Sequence, residues 1–311
     1  MRILKPMRYL VHLLRRILGT TMLQETLLQV QQQMASLAQP AAPDAEPPKS
    51  ATLCDARAQV RLLVARSYLR GQGVEIGAFA SPLELPEGAR VQYIDKYSAE
   101  DIGKPFNISG LTLEDFGTDI NSIVIPDIVD SGETLAKVGD YSQDFVIANH
   151  VFEHFEDPIK GFKNMLRILR HGGILYLSLP EMRHSFDRTR KPTSFEHLLR
   201  DYEHSPTWSR GTAYQEFAEI FASHGMDKGL FPRVHGSELK AFVGQQAQIL
   251  EKADFSIHFH AWTMDGMQEL FLRIKSHFDL SFETKLIVKN EDEVIFIFEK
   301  TVPQIKAGVF A

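Results

Sequence analysis

This chain of 311 residues has only one cysteine, no excess of basic charge and no long apolar run. Its one cysteine, Cys54, has no internal disulfide partner, which favours the reducing environment of the cytoplasm. A formal net charge of -6 offers no basic surface for nucleic acid, so we expect no nucleic-acid partner. No apolar run reaches the roughly 18 residues that span a bilayer, and the N-terminus lacks the form of a secretory signal. We therefore predict a cytoplasmic protein.

The first 38 residues are predicted to form a helical arm. Residues 7–18 have the composition of a short basic amphipathic helix, which can lie at the inner face of a membrane or pack on a partner helix. Apolar residues then recur with the spacing of a coiled-coil seam: Leu23, Leu27, Val30, Met34 and Leu37. We expect a homo-oligomer through this helix, and peripheral membrane contact through the basic one.

The remaining sequence divides into a linker, one large domain and a tail. Residues 39–50 are rich in proline and alanine, which is typical of an extended spacer. We predict one large domain over residues 51–302, with a substrate-binding insertion at about 181–256. Residues 303–311 form a short tail.

Helical and strand patterns alternate from residue 51 onward, an order that builds a mostly parallel sheet with helices on both faces. Residues 55–71 space Val60, Leu63 and Tyr68 on one helical face. Five strands are predicted in the segments "GVEIG", "RVQYIDK", "NSIVIPDIVD", "SQDFVIANH" and "ILYLSLP". Near the C-terminus "FETKLIVKN" and "EVIFIFEK" flank a polar pair and predict an antiparallel hairpin. The fold class is thus α/β, Rossmann-like, with seven strands.

The glycine turn directly after the first predicted strand has only one glycine, Gly77. Gly77 is followed by "AFASPLELPEG", and only eight residues separate Pro82 from Val91, too few for a crossover helix. A helix N-terminus is the usual binding site for a phosphate in this position. Its predicted absence argues against a dinucleotide and favours a cofactor without phosphate.

Several segments together resemble one family. The acidic residue in "VEIG", the acidic end of "RVQYID" and the blocks "DFVIANHVFEHFEDP" and "LRHGGILYLSLP" are similar to those of class I S-adenosylmethionine-dependent methyltransferases. The resemblance covers about residues 55–300. It is closest to a bacterial subgroup associated with surface-polysaccharide and glycosyltransferase genes, which also has segments similar to "SFDRTRKPTSFEHLLRDY" and "HFHAWT".

This resemblance implies a function. The expected cofactor is S-adenosyl-L-methionine, and the expected reaction is O-methylation of a sugar hydroxyl on a surface glycan or glycolipid. Two alternatives stay open at this stage. One is a methyltransferase acting on a small molecule or a carboxyl group, and the other is a non-catalytic assembly subunit of a glycan-synthesis complex.

The cofactor site is predicted at the carboxyl ends of the strands, where ligands bind in open parallel sheets. Asp95 is expected to accept the ribose hydroxyls, although a solvated aspartate in a turn is the alternative. Glu75 either orients the glycine loop or reaches the methionine amino group. Asp130, in preference to Ser131, is expected near the adenine, with helix capping as an equal alternative for either residue. The full predicted set is Glu75, Gly77, Ala78, Asp95, Asp130, Ser131, Asn149 and His150.

A histidine base is the expected catalytic group, because methyl transfer to a hydroxyl needs alignment and removal of one proton. "NHVFEHF" places His150 and His154 four residues apart, with Glu153 beside them. The histidine that the resemblance implies as the base is His154, and a packing role is its alternative. His260 is the second candidate.

Acceptor binding is predicted in two downstream segments. In "RHSFDRTRKPTSFEHLLRDYEH" the polar positions that match the polysaccharide subgroup are Asp187, Arg190, His197 and Asp201, and a plain surface helix is the alternative. "SIHFHAWT" alternates so that His258, His260 and Trp262 share one strand face, where Trp262 would stack on a sugar ring. Two of these histidines with an aspartate are possible metal ligands, but no third ligand follows at short spacing, so no metal is predicted.

Overall fold

The computed structural model describes residues 56–98, 100–101, 120–227 and 233–303. The predicted basic helix, coiled coil and linker lie outside the described residues, as does most of the tail, and they stay predictions. Within the described ranges, no helix combines the length and apolar character that crossing a bilayer requires.

A seven-stranded sheet is the centre of the molecule. Its strand order is β3-β2-β1-β4-β5-β7-β6. The pairs among β1 to β5 are parallel, whereas β7 is antiparallel to both β5 and β6. This confirms the predicted Rossmann-like fold with a C-terminal antiparallel hairpin. The strands are β1 Gln72–Ile76, β2 Arg90–Asp95, β3 Ile128–Val129, β4 Gln143–Asn149, β5 Leu169–Pro180, β6 Phe282–Asn290 and β7 Glu293–Lys300.

Helices cover both faces of this sheet. The α-helices are α1 Ala56–Tyr68, α2 Pro158–Ile168, α3 Phe195–His204, α4 Thr207–Asp227, α5 Gly236–Lys252 and α6 Met264–His277. Local sequence begins three of them: the side chains of Asp157, Ser194 and Thr263 each accept a hydrogen bond from a backbone amide in the first turn.

The core has one layer on each face of the sheet because side chains alternate along each strand. In β4, Val146 and Ala148 pack with α2, α3 and α6, whereas Phe145 and Ile147 pack with α1. Helices α4 and α5 form a separate small apolar cluster together with Ile257. This helical pair lies within the predicted insertion, next to the carboxyl end of β2, as the contacts below show.

Some local expectations were confirmed and others were wrong. The segment between β1 and β2 contains no helix, as its length predicted. The third strand is much shorter than predicted, with two residues, and β5 begins at Leu169 because the chain resumes pairing directly after α2. On α1, Leu63 was expected on the face that packs against the sheet, but it is 67% exposed. Val64 and Ala65 are the buried residues of this helix.

Candidate active site

A cavity of about 550 Å³ opens at the carboxyl ends of β1, β2 and β4. This main cavity is lined by four of the predicted cofactor residues, Gly77, Asp95, Ser131 and His150, and by His154. A second cavity of about 430 Å³ adjoins it and shares Gly77 and His150 as lining residues. Cavities of this size hold ligands as large as a nucleoside derivative. The predicted convergence at the strand ends is therefore present in the structure.

Gly77 lets the backbone turn sharply at the floor of both cavities. Its φ is +64°, in the left-handed region, and a Cβ built on it would lie 2.7 Å from Val151 Cγ2. Any other residue would push into the β4 loop. The single glycine of the motif is thus required by space as well as by backbone conformation.

Glu75 holds the loop that follows Gly77. Its carboxylate is fully buried and accepts hydrogen bonds from the Leu83 amide, with N···O distances of 3.0 and 3.2 Å. Burial raises the pKa of Glu75 to about 7, and the Leu83 amide acts in the opposite direction. Of its two predicted roles, the structure favours orientation of the loop.

We expect Glu75→Gln to remove a pH-dependent part of the stability. The ordinary pKa is 4.5 and the folded pKa is about 7, so between these values the folded chain holds a proton that the unfolded chain releases. Stability therefore falls as pH rises through this window, by up to about 3 kcal/mol. Glutamine can still accept the Leu83 hydrogen bond but carries no proton equilibrium. Denaturant unfolding measures the free energy of unfolding at about pH 5 and pH 8, and the decrease between these two pH values should be smaller for the variant than for the wild type. Equal decreases would show that Glu75 is not the group responsible.

Asp95 ends β2 beside the main cavity. Its Oδ1 accepts a hydrogen bond of 3.0 Å from the Tyr97 amide, and burial raises its pKa despite this hydrogen bond. A partly buried carboxylate with one oxygen engaged is suited to accept hydroxyl donors from a ligand.

The loop after β3 separates the two residues that were predicted near the adenine. Ser131 lines the main cavity, whereas Asp130 lines neither cavity. The Asp130 carboxylate instead accepts hydrogen bonds from the amides of Ser131 and Lys137, at 2.8 and 2.7 Å. A turn, and no helix, follows. Asp130 therefore shapes the loop, and Ser131 is the residue in a position to meet a ligand.

The end of β4 supplies Asn149 and His150. Both line the second cavity, together with Ala78. Asn149 Oδ1 accepts a hydrogen bond of 2.9 Å from Ser178 Oγ, which ties β4 to β5. His150 has a φ of +52°, and its Nε2 lies 2.8 Å from Glu293 Oε2 and 2.9 Å from Arg57 Nη2. The C-terminal hairpin thus holds this histidine at the border of the two cavities.

His154 lies in the short 3₁₀ helix after β4 and lines the main cavity. A hydrogen bond of 3.0 Å joins its Nδ1 to Ser256 Oγ. Burial, together with the nearby His258, lowers the pKa of His154 well below the ordinary value of 6.5. The imidazole is therefore neutral at physiological pH, which is the form that accepts a proton or binds a metal ion.

Two predictions for the "SIHFHAWT" segment do not fit the structure. Trp262 is 1% exposed and packs against Phe152 in the core, so no face is left for a sugar ring. His260 is 2% exposed, stacks on Trp262 and lines neither cavity. Its burial lowers the pKa of His260 to about 3, and it has no access to an acceptor. The segment is extended, but it packs inward on both sides.

The other predicted acceptor residues are also largely internal. Arg190 donates to Asp187, at 3.0 Å, and to the carbonyl groups of His258 and Phe259. Asp187 and Asp201 are at most 1% exposed, and none of the six predicted acceptor-binding residues lines either cavity. These residues position the histidine segment, so their predicted direct contact with the acceptor is not supported. His197 is the most accessible of them, with a side chain that is 33% exposed.

Sequence reasoning missed the residues that close the main cavity on its outer side. They come from α4 and from the chain after α5, and they are Tyr214, Asp254, Phe255, Ser256 and Phe259. Their positions depend on how the helical pair docks on the sheet, which no local pattern shows. Lys96 and Tyr97 were also missed, although their place directly after β2 was a usable signal.

Comparison with known protein families assigns this chain to one of them. The sequence profile of a methyltransferase-domain family matches residues 29–221, which is more than half of the chain, and the chain belongs to this family. The predicted class, an S-adenosyl-L-methionine-dependent methyltransferase, is confirmed, and with it the expectation of an enzyme. Among curated proteins, no relative matches this chain.

Solved structures show distant likenesses. A protein from Methanococcus maripaludis, provisionally described as an S-adenosyl-L-methionine-dependent methyltransferase, is 15% identical. The alignment covers 80% of this chain and 89% of that one, with a TM-score of 0.40. A methyltransferase of the same cofactor class from Aquifex aeolicus is 10% identical over 79% of this chain and 89% of that one, with a TM-score of 0.37.

The residues of the main cavity fit the cofactor of this class. The floor at Gly77 has no room for a Cβ, and Asp95 presents a carboxylate at the end of the neighbouring strand. No helix follows β1 in the described residues, so a phosphate site of the dinucleotide type is missing there. S-adenosyl-L-methionine, the cofactor of the enzyme, carries no phosphate and a positive sulfonium group, which suits a cavity that is also lined by Glu133, Glu156 and Asp254.

Proposed function

We propose that this methyltransferase acts on a hydroxyl group of a sugar in a surface glycan or glycolipid. The observation that carries the proposal is the outer lining of the main cavity beyond His154. Three aromatic residues, Tyr214, Phe255 and Phe259, lie there. Aromatic faces beside polar side chains are typical of carbohydrate sites.

Polar groups complete this outer lining. Asp254 accepts from Arg210 at 2.8 Å and from Lys96 at 3.1 Å, and Arg210 also pairs with Glu156. Ser256 is hydrogen bonded to His154. In the cavity lining, the carboxylates of Glu156 and Asp254 can accept hydrogen bonds from sugar hydroxyls, and the Ser256 hydroxyl can also donate one. These contacts also link the helical pair to the end of β2, so the acceptor side and the cofactor side are held together.

The residues divide the work as follows. Gly77, Asp95 and Ser131 would hold the cofactor, with Glu75 orienting the loop. S-adenosyl-L-methionine supplies an electrophilic methyl group when bound. Neutral His154 is positioned to take the proton of the acceptor hydroxyl, and the aromatic lining excludes water and orients the ring.

The test compares surface glycans from cells with and without the gene by mass spectrometry. We expect loss of a methyl ether in the deletion strain. Glycan from that strain should accept a methyl group from labelled S-adenosyl-L-methionine when the purified full-length enzyme is added, whereas glycan from the parent strain, already methylated, is the matched control. An alkali-labile label would indicate a carboxyl acceptor, and label only in low-mass material would indicate a small-molecule acceptor. Either outcome would contradict the proposal.

A further inference from the structure

Glu153 is a fully buried acid that neighbours the main cavity and lacks the hydrogen bonds that such a group needs. Its exposed fraction is 0%, and neither carboxylate oxygen accepts a hydrogen bond from another residue. An unpaired buried carboxylate is costly in free energy. Natural proteins keep such a group when something else, a proton or a cation, compensates it.

Two imidazole nitrogens lie near one oxygen of this carboxylate. Glu153 Oε1 lies 3.8 Å from His258 Nε2 and 3.6 Å from His150 Nδ1. These distances are too long for hydrogen bonds. They are close to the separation of about 3.4 Å between two ligand atoms bound to one tetrahedral zinc ion. One ligand atom each from Glu153, His154 and His258 lies within 4.8 Å of the other two, and these three residues form the Glu153 cluster.

The outer contacts of the Glu153 cluster orient its histidines. His258 Nδ1 lies 2.6 Å from Asp187 Oδ2, and Arg190 binds the other oxygen of Asp187. Asp187 Oδ2 accepts a hydrogen bond from a protonated His258 Nδ1, so Nε2, near Glu153, has its lone pair available. A carboxylate behind a histidine is the usual support of a metal ligand.

We propose that Glu153, His154 and His258 bind a divalent transition-metal ion of the zinc class. Two imidazoles and one carboxylate are a ligand set that leaves a fourth position open for a water molecule or a substrate oxygen. His154 also lines the main cavity, so the open position adjoins the space assigned to the cofactor and the acceptor.

The role of this ion deepens the proposed function and rests on it. A hydroxyl bound to a divalent ion loses its proton far more readily than a free one, as the lowering of the pKa of zinc-bound water to about 7 shows. The acceptor's O–H bond then breaks with the proton passing to solvent. The alkoxide oxygen forms a bond to the methyl carbon, and the C–S bond breaks with its electron pair staying on sulfur. His154 would act in this case as a ligand of the ion.

A second cluster of potential ligands provides an internal comparison. His197, Asp201 and His260 also have one ligand atom each within 4.8 Å of the others. Asp201 is partly satisfied: its Oδ1 accepts from Ser209 Oγ at 3.0 Å, whereas its Oδ2 accepts no hydrogen bond and lies 3.1 Å from His197 Nε2. None of the three lines either cavity. Of the two carboxylates, only that of Glu153 has no hydrogen bond to either oxygen.

Metal titration of the full-length protein tests the proposal without cofactor or acceptor. After chelator treatment, Zn²⁺ binding is measured by calorimetry, and Co²⁺ binding by the visible absorption of a tetrahedral cobalt site. We expect one ion per chain. Glu153→Gln and His258→Asn should each weaken binding by at least about tenfold, and Asp187→Asn by about ten- to a hundred-fold through its support of His258. Asp201→Asn and the exposed His171→Asn are the matched controls and should bind as the wild type does.

Two results would overturn the proposal. One is the absence of saturable binding in the wild type, and the other is binding that survives Glu153→Gln and is lost in Asp201→Asn. Circular dichroism of each variant separates loss of the site from loss of the fold, and the conservative Asp187→Asn variant provides a readout that keeps all three ligands. Since no acceptor is present, failure of the glycan proposal would leave this result unchanged, and failure here would leave the glycan assay unchanged.

Discussion

Replacing His154 with alanine is expected to lower turnover by about 10²- to 10⁴-fold while affinity for S-adenosyl-L-methionine stays close to that of the wild type. The residue lines the main cavity and is hydrogen bonded to Ser256 on the acceptor side. Asp95, the predicted partner of the adenosine, lies on a different strand. Removal of His154 would therefore remove the group that we propose handles the acceptor proton, either directly or as a metal ligand, and would leave Asp95 in place.

The pH profile adds a second readout to this prediction. Because the pKa of His154 is lowered well below 6.5, the imidazole stays in its neutral, active form as pH falls through 6.5. The wild-type rate should therefore show no loss attributable to this histidine in that region, and its acidic limb should begin lower.

The exposed His171→Ala is the matched control for the loss of an imidazole and should retain full turnover. If His154→Ala loses cofactor affinity and thermal stability in the same proportion as turnover, His154 is a packing residue and the catalytic assignment is wrong.

Asp95→Ala is expected to weaken binding of S-adenosyl-L-methionine by about ten- to a hundred-fold, which corresponds to about 1.5 to 3 kcal/mol for lost hydrogen bonds to a charged group. The carboxylate ends β2 at the main cavity, and its Oδ1 accepts a hydrogen bond from the Tyr97 amide. The remaining acceptor capacity matches the two hydroxyls of a ribose. Calorimetric titration with the cofactor measures the change.

Asp265→Ala provides the control for this titration, because Asp265 is exposed on α6 and lines neither cavity. Its affinity should equal that of the wild type. Wild-type affinity in Asp95→Ala would show that the adenosine does not bind at the end of β2, and the site would have to be reassigned.

The fold was predictable because its strands carry strong local patterns. The apolar runs of β4 and β5 are buried on both faces, and the polar pair between β6 and β7 marks the hairpin. The two-residue β3 had no comparable pattern, and its limits follow from pairing with the last two residues of β2. The exposed Leu63 shows that prediction from local pattern has a similar limit in helices. Periodicity predicts that a helix has an apolar face, but it does not predict which residues at the edge of that face contact the sheet.

The cofactor side of the site was also predictable, because parallel strands bring their carboxyl ends to one edge. Gly77 and Asp95 follow from that rule, whereas in the loop after β3 the sequence favoured Asp130 and it is Ser131 that lines the cavity. The acceptor side was not: alternation in "SIHFHAWT" predicted one exposed face, yet Trp262 and His260 are both buried. This face is covered by Phe152, which follows β4, and by His197 of α3, so its burial depends on tertiary packing that alternation does not predict.

The central claim is that the main cavity binds S-adenosyl-L-methionine, and calorimetric titration of the wild-type, full-length protein tests it most directly. The account predicts saturable binding of one cofactor molecule per chain, competed by S-adenosylhomocysteine. Absence of binding heat and of competition, in protein shown to be folded by circular dichroism, would contradict it.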